Sequence, residues 1–181
     1  MESVLPRSAE PPYSEERALL AQVARGDEVA VAELSRGHRD GMYRLAYSLL
    51  GDGDEAADAA QAAMLRAVAS AGKFDGRAPL RNWLLQFTLR EAQKIARHRR
   101  WPRLSLERRD PRQPYAQIEA ADALRRGMAD LSPPLREAFV LVYVEELTVA
   151  ETAVLLKIPE GTVKSRCHAA RAALRRALEI S

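Results

Sequence analysis

The first half of the chain places apolar residues at the spacing of amphipathic helices. After a tail of residues 1–13 with three prolines, a first helix begins near Ser14 and continues, beyond a break at Gly26, with Val29 on its apolar side. A second helix ends at a glycine-rich stop that begins at Gly51. The pattern therefore predicts helices from near residue 14 onward.

Two more helices are predicted before a break in the pattern. Asp54 is positioned to cap the third helix, whose apolar side is rich in alanine. A loop with two glycines and a proline covers residues 72–79, and a fourth helix with one apolar and one basic face follows from Leu80 to about Arg100. Prolines and arginines interrupt the pattern over residues 101–117, which we predict to be a flexible linker.

Helical spacing returns after this linker. A helix is predicted over about residues 118–129 and another over 135–145, the second with Phe139, Val142 and Tyr143 on its apolar side. The expected fold class is therefore all-α, with two helical domains joined by the linker.

The end of the chain combines a capping box, a turn and a basic helix. Thr148 and Glu151 have the spacing of a capping box and predict the start of a short helix. A tight turn over residues 157–159 leads into a last helix from about Glu160, whose inward stripe is small and apolar and includes Cys167. Two short helices, a turn and a basic second helix are typical of a DNA-binding helix-turn-helix.

The outer face of the last helix offers hydroxyl and cationic groups that can reach phosphates and base edges. The candidate DNA-contacting residues are Glu160, Thr162, Lys164, Ser165, Arg166, His168 and Arg171. The alternative is an amphipathic helical hairpin with a solvated basic face, because charged outer faces are common on surface helices.

Charge and composition narrow the functional classes. Residues 1–70 carry 7 Lys/Arg and 12 Asp/Glu, whereas residues 71–181 carry 21 and 13, so the basic part suits a polyanion such as nucleic acid. One cysteine and three histidines lack the spacing of a metal site, and we expect no metal, no cofactor and no catalytic constellation. No apolar run is long enough for membrane insertion, and a cytoplasmic protein is expected.

Two motifs near the C-terminus are specific enough to indicate a family. LSPPLREAF begins at Leu131, and IPEGTVKSR begins at Ile158 and is followed by His168 and Arg171. Together they resemble region 4 of RNA polymerase sigma factors of the extracytoplasmic-function group, group IV. In that family this helix reads the −35 promoter element, so the resemblance implies that residues 118–181 bind promoter DNA.

The resemblance extends upstream through YRLAY from Tyr43, DAAQ from Asp58 and the pair Trp83-Leu84. These motifs are similar to region 2 of the same family, which docks on the RNA polymerase core and melts the −10 element. The residues that the resemblance places against polymerase are Asp54, Glu55, Asp58, Gln61, Met64 and Leu65. The basic face expected to engage the melting strand consists of Arg90, Lys94, Arg97 and Arg100.

The loop before the fourth helix is a further candidate for −10 binding. Lys73, Phe74 and Arg77 are suited to capture an unstacked base, since loops carry function and an extruded base needs a pocket. Trp83 and Phe87 lie one helical turn apart, which is more typical of core residues than of a stacking platform.

The chain departs from the family pattern at five positions. Ala57 and Ala62 stand where acidic residues are usual, and Met64 where an aromatic residue is usual, in the helix that grips polymerase. Arg90 and Lys94 replace the usual Asn and Asp, so the melting surface is more basic than in the family.

Two alternatives to a sigma factor therefore stay open. One is a helix-turn-helix regulator that binds an operator as a dimer, and the other is a sigma-like adaptor with weakened core binding. The resemblance further implies regulation by an anti-sigma factor.

Overall fold

The structure is a computed structural model that describes residues 12–98 and 124–179. The regular elements within these two ranges are helical, and no strand occurs in them, which confirms the all-α prediction. The predicted linker over 101–117, Arg100 and most of the predicted tail lie outside the described residues.

The first described range contains four α-helices and one short 3-10 helix. They are α1 (Ser14–Ala24), α2 (Glu28–Leu50), α3 (Gly53–Ala69), the 3-10 helix Ala71–Lys73 and α4 (Leu80–His98). The second range contains α5 (residues 124–130), α6 (Pro133–Phe139), α7 (Val149–Leu156) and α8 (Glu160–Glu179).

The division between the first two helices differs from the prediction. The chain breaks at Gly26 as expected, but everything from Glu28 to Leu50 is one helix, capped by Asp27. Val29 lies on the outside of α2 and is 73% exposed, so its predicted place on the apolar side is wrong. Ala30 faces the core instead, and it lies one helical turn before Leu34, which is fully buried.

The start of α3 also differs from the prediction. Gly51 adopts a left-handed conformation (φ 70°) that ends α2. Asp52 is then the N-cap, and its carboxylate accepts a hydrogen bond of 3.0 Å from the backbone N–H of Glu55. Asp54 was predicted to be the cap, but it lies exposed in the first turn, where the helix dipole still favours a carboxylate.

Alanines let α3 approach its neighbours closely. Five of them are buried, and they face large apolar side chains of α2 and α4 such as Leu34, Leu45 and Leu84. The buried alanines of α3 are Ala56, Ala59, Ala60, Ala63 and Ala67. Packing of α2, α3 and α4 around this small-residue face forms the core of the first range.

A π-helical segment follows α6. Val140–Val144 forms this segment, and it closes with a hydrogen bond from the N–H of Glu145 to the carbonyl of Val140. The predicted helix over 135–145 is thus wound differently in its second half. Val140 and Leu141 are fully buried, whereas Tyr143, predicted to be on the apolar side, is 46% exposed.

The two described ranges pack directly against each other. Val140 and Leu141 belong to the same apolar cluster as Leu45, Leu85 and Leu89 of α2 and α4. The candidate sites of both parts therefore lie on a single packed body.

The predicted capping box is present at the start of α7. The Thr148 hydroxyl accepts a hydrogen bond from the Glu151 N–H at 3.1 Å, and the Glu151 carboxylate accepts one from the Thr148 N–H at 2.9 Å. The Thr148 hydroxyl also donates to the Glu151 carboxylate at 2.7 Å, and this bond, together with the one from the Thr148 N–H, holds the pKa of Glu151 below its usual value. The box fixes the point at which the helix-turn-helix begins.

We expect Thr148→Ala to lower the free energy of unfolding by about 1 kcal/mol, because the first turn of α7 loses its side-chain acceptor. Urea denaturation followed by circular dichroism measures this difference. Thr148→Ser keeps the hydroxyl and serves as the control. Equal stability of the alanine and serine variants would contradict the role of the cap.

Candidate nucleic-acid interface

The turn between α7 and α8 sets the angle of the last helix. Lys157 adopts a left-handed conformation (φ 56°), and the N–H of Ile158 donates to the carbonyl of Ala153. Pro159 follows, and its carbonyl accepts the N–H groups of Thr162 and Val163 in the first turn of α8. Helix, turn and helix therefore have the arrangement that the sequence predicts.

The inward stripe of α8 is as predicted. Val163, Cys167, Ala170 and Leu174 are buried and pack against α6 and its neighbours. Burial raises the pKa of the Cys167 thiol, which donates a weak hydrogen bond to the Ala138 carbonyl. Cys167 is thus a packing residue.

The opposite side of α8 carries the predicted DNA-contacting residues. Five of them are exposed: Glu160, Lys164, Ser165, His168 and Arg171. Thr162 and Arg166 are half-buried. The Ser165 hydroxyl donates to the Thr162 carbonyl at 3.0 Å, and the Arg171 guanidinium lies 5.9 Å from the ring centre of Tyr143. Polar groups at the N-terminal end of a solvent-facing helix can enter a DNA groove.

The basic face of α4 is exposed as well. Arg90, Lys94 and Arg97 are open to solvent. Lys94 lies 4.0 Å from the carboxylate of Glu91, which is buried and forms a 2.5 Å ion pair with Arg66. Glu91 thus anchors α4 to α3 beneath the cationic face.

The loop before α4 is organised differently from the prediction. Phe74 is only 6% exposed, and its ring packs edge-on against Trp83, which in turn contacts Phe87. The expected exposure of Phe74 is therefore wrong, because the ring belongs to the core and is not open to a base in this arrangement. Lys73 and Arg77 remain exposed at the loop surface.

The residues predicted to meet polymerase share one side of α3. Asp54, Asp58, Gln61 and Leu65 are exposed, and Leu65 is 64% so. Glu55 and Met64 are half-buried, and Met64 also packs against the core. An exposed leucine beside carboxylates suits a protein surface rather than DNA.

Three residues that sequence reasoning did not single out join the two packed parts. The Arg81 guanidinium forms a 2.5 Å ion pair with Glu145, and the Asn82 amide donates to Glu151 at 2.7 Å. Arg136 donates to the carbonyl of Leu49 at 2.8 Å. No local sequence signal indicates such pairs, because their members lie more than sixty positions apart.

Two kinds of feature are missing from the described residues. No group of three or more His, Cys, Asp or Glu side chains is arranged there to hold a metal ion. Among the helices of the same residues, none is both long and apolar enough to cross a membrane.

Comparison with known structures supports the fold. CnrH in complex with the cytosolic domain of CnrY is 25% identical, with a TM-score of 0.71 over 92% of this chain and 98% of that one. The sigma factor RpoE in complex with the anti-sigma factor NepR from Bartonella quintana is 20% identical, with a TM-score of 0.70 over 83% of this chain and 97% of that one.

Comparison with families and relatives identifies the chain. Residues 34–102 match the model for Sigma-70 region 2, and residues 121–174 match the model for Sigma-70, region 4. The ECF RNA polymerase sigma factor SigM of Mycobacterium tuberculosis is 37% identical over 162 residues, which cover 88% of this chain and 83% of SigM. SigW of Bacillus subtilis is 28% identical over 88% of this chain and 94% of its own length. The chain belongs to the family of ECF RNA polymerase sigma factors, which direct promoter recognition and transcription initiation.

Proposed function

We propose that α8 reads the −35 element of the promoter and that α4 engages the −10 element. The observation that carries this division is the exposed polar face at the start of α8, which is held at a fixed angle by the left-handed turn at Lys157. Its proposed contacts are Glu160, Thr162, Lys164, Ser165, Arg166, His168 and Arg171. Those of the −10 surface are Lys73, Arg77, Arg90, Lys94 and Arg97.

The polymerase core is proposed to bind the exposed side of α3. Its contacts are Asp54, Glu55, Asp58, Gln61, Met64 and Leu65. Ala57 is exposed on the same helix, so the absence of the usual carboxylate there removes charge from the surface itself. The protein would act as a non-enzymatic initiation factor in the cytoplasm, under the control of an anti-sigma factor of the kind that RpoE binds in its complex.

Run-off transcription with purified core polymerase on a promoter library tests this function. A defined subset of promoters should be transcribed, and its members should share both elements. If no promoter is transcribed and the protein does not bind core polymerase, the adaptor alternative is favoured. The observation that speaks for this alternative is the presence of alanines at positions 57 and 62.

We expect Arg166→Ala to weaken binding to a −35 duplex by about 1–3 kcal/mol if the guanidinium contacts guanine in a bidentate manner. Fluorescence anisotropy with a −35 duplex and a scrambled duplex measures the effect. Arg175→Ala is the control, because Arg175 is exposed farther along the same helix. An equal loss on both duplexes would assign Arg166 to a phosphate and contradict base reading.

A further inference from the structure

The N-terminus of α4 has no side-chain cap in the residues directly before it. Helix N-termini are usually capped by a Ser, Thr, Asp or Asn side chain that accepts a backbone N–H of the first turn. Ala78 and Pro79 precede Leu80, and neither side chain carries a hydrogen-bond acceptor. The Pro79 carbonyl accepts the N–H of Trp83, so the N–H of Leu80 depends on an acceptor from elsewhere in the chain.

That acceptor is the carboxylate of Glu16, which lies in α1, 64 positions earlier in the sequence. Its Oε2 atom accepts the Leu80 N–H at 2.6 Å, in a partly buried place. A carboxylate here also interacts favourably with the positive end of the α4 dipole. The first helix therefore supplies the cap that the loop before α4 lacks.

α1 packs against the same loop, residues 72–79, through apolar side chains. Phe74 within the loop and Leu80 directly after it are buried in one apolar cluster. Leu20 and Val23 of α1 belong to this cluster as well. Movement of the loop away from α1 would expose this apolar surface to water, which is unfavourable.

Gly76 lets the middle of the loop approach the start of α1. It has a φ of 72°, and a Cβ at this position would lie 3.2 Å from the Tyr13 carbonyl oxygen and 3.4 Å from the Cβ of Arg17. The next residue, Arg77, donates its N–H to the Asp75 carboxylate at 3.0 Å. The turn that presents the exposed Arg77 side chain is thus built directly against the first helix.

The order of this loop affects how well its cations can bind DNA. A site that is in its binding conformation for only a fraction of the time loses affinity by that fraction. Groups that hold the loop therefore raise the affinity without contacting DNA themselves. Glu16 suits this indirect role, because it is half-buried and its negative charge would repel phosphates in a direct contact.

We propose that Glu16 is a positioning residue for the −10 surface, because its hydrogen bond to Leu80 ties α1 to the start of α4. This tie holds Lys73 and Arg77 in the arrangement that binds DNA. α1 precedes the residues that match the region 2 model, and it thereby takes part in promoter binding from outside that match. The effect on DNA rests on the proposed assignment of the loop to the −10 element, whereas the tie between α1 and α4 is independent of that assignment.

Amide hydrogen exchange of the full chain, followed by NMR, tests the tie. In Glu16→Ala the Leu80 amide should exchange about three- to tenfold faster, the range that corresponds to loss of a helix cap. Glu16→Gln removes the charge but keeps an oxygen acceptor, so its rate should stay close to that of the wild type. Glu15→Ala, at the exposed neighbouring position, is the control. An unchanged Leu80 rate in Glu16→Ala would overturn the proposal.

Circular dichroism verifies that each variant is folded. If Glu16→Ala fails to fold, Glu16→Asp provides the same comparison, because its carboxylate is one methylene shorter and does not reach the Leu80 N–H. The same acceleration of exchange is expected. An unchanged rate in a folded Glu16→Asp would then overturn the proposal.

Binding of the reconstituted holoenzyme to a single-stranded −10 oligonucleotide tests the effect on DNA. The probe carries the −10 sequence shared by the promoters that run-off transcription selects. Glu16→Ala should bind it about three- to tenfold more weakly, which corresponds to a loop that is correctly held for a fraction of roughly 0.1–0.3 of the time. Glu16→Gln should retain wild-type affinity, and binding to a duplex with only the −35 element should not change in either variant. An unchanged −10 affinity in Glu16→Ala would overturn the positioning role.

A double-mutant cycle tests whether Glu16 acts through the loop cations. In a Lys73→Ala, Arg77→Ala background, Glu16→Ala should cause no further loss, because the cations that it positions are already absent. Fully additive losses would overturn the positioning role. Unchanged −10 binding in the Lys73→Ala, Arg77→Ala variant itself would refute the proposed function of the loop, while the exchange rate of Leu80 still decides whether α1 holds α4.

Discussion

Arg136→Met should lower the free energy of unfolding by about 3 kcal/mol, because four backbone carbonyls lose a charged donor at once. The guanidinium donates to the carbonyls of Met128, Ala129 and Leu131, and across the interface to that of Leu49, at 2.7–2.9 Å. Three of these carbonyls lie at the C-terminal ends of α5 and α2, where helical carbonyls lack partners and a cation is favoured.

Urea denaturation of the full chain measures this loss. Methionine keeps most of the aliphatic length of arginine, so the change removes the donors with little change in packing. Arg126→Met, at an exposed position of α5, is the matched control and should change stability by less than about 0.5 kcal/mol. Similar losses for the two variants would contradict the role of Arg136.

Leu141→Ala should destabilise the protein by about 2–5 kcal/mol, because it leaves a cavity at a position that is fully buried. The side chain lies where the apolar clusters of the two parts merge, so neighbours on α2 and α4 lose contacts as well. Thermal and urea unfolding measure the effect.

Leu65→Ala is the control for this substitution, because the same atoms are removed from an exposed leucine. Its stability should be close to that of the wild type. A loss below about 1 kcal/mol for Leu141→Ala would show that the π-helical segment is loosely packed.

Local signals predicted much of the second half of the chain. The capping box at Thr148 and the stripe that contains Val163 and Cys167 depend only on neighbours in sequence, and both are confirmed. The prediction failed where two nearby residues could each cap the same helix. Asp52 and Asp54 can each cap a helix, and the conformation of Gly51 selects Asp52.

The α-helical period predicted the wrong buried residues where the helix changes to π-helical winding. An α-helical period places Tyr143 with Phe139, but the π-helical segment shifts the inward positions to Val140 and Leu141. The expected exposure of Phe74 failed for a related reason, since a residue of a short loop that lies between two glycines and beside charged neighbours resembles an exposed one. Its burial depends on Trp83, which no local pattern places against it.

The interface residues were beyond sequence reasoning for a different reason. Arg81, Arg136 and Glu145 look like ordinary surface charges, and their partners are distant carboxylates or backbone carbonyls. Only the packing of α6 and the π-helical segment onto α2 and α4 brings them together.

The two carboxylate oxygens of Glu151 accept hydrogen bonds from different parts of the chain. One accepts the N–H and hydroxyl of Thr148, while the other accepts the amide of Asn82 from α4. Separation of the two parts would break only the second of these bonds. The helix-turn-helix therefore keeps its N-terminal cap whether or not α7 contacts α4, and the first turn of α7 needs no hydrogen bond from the other part of the chain in order to form.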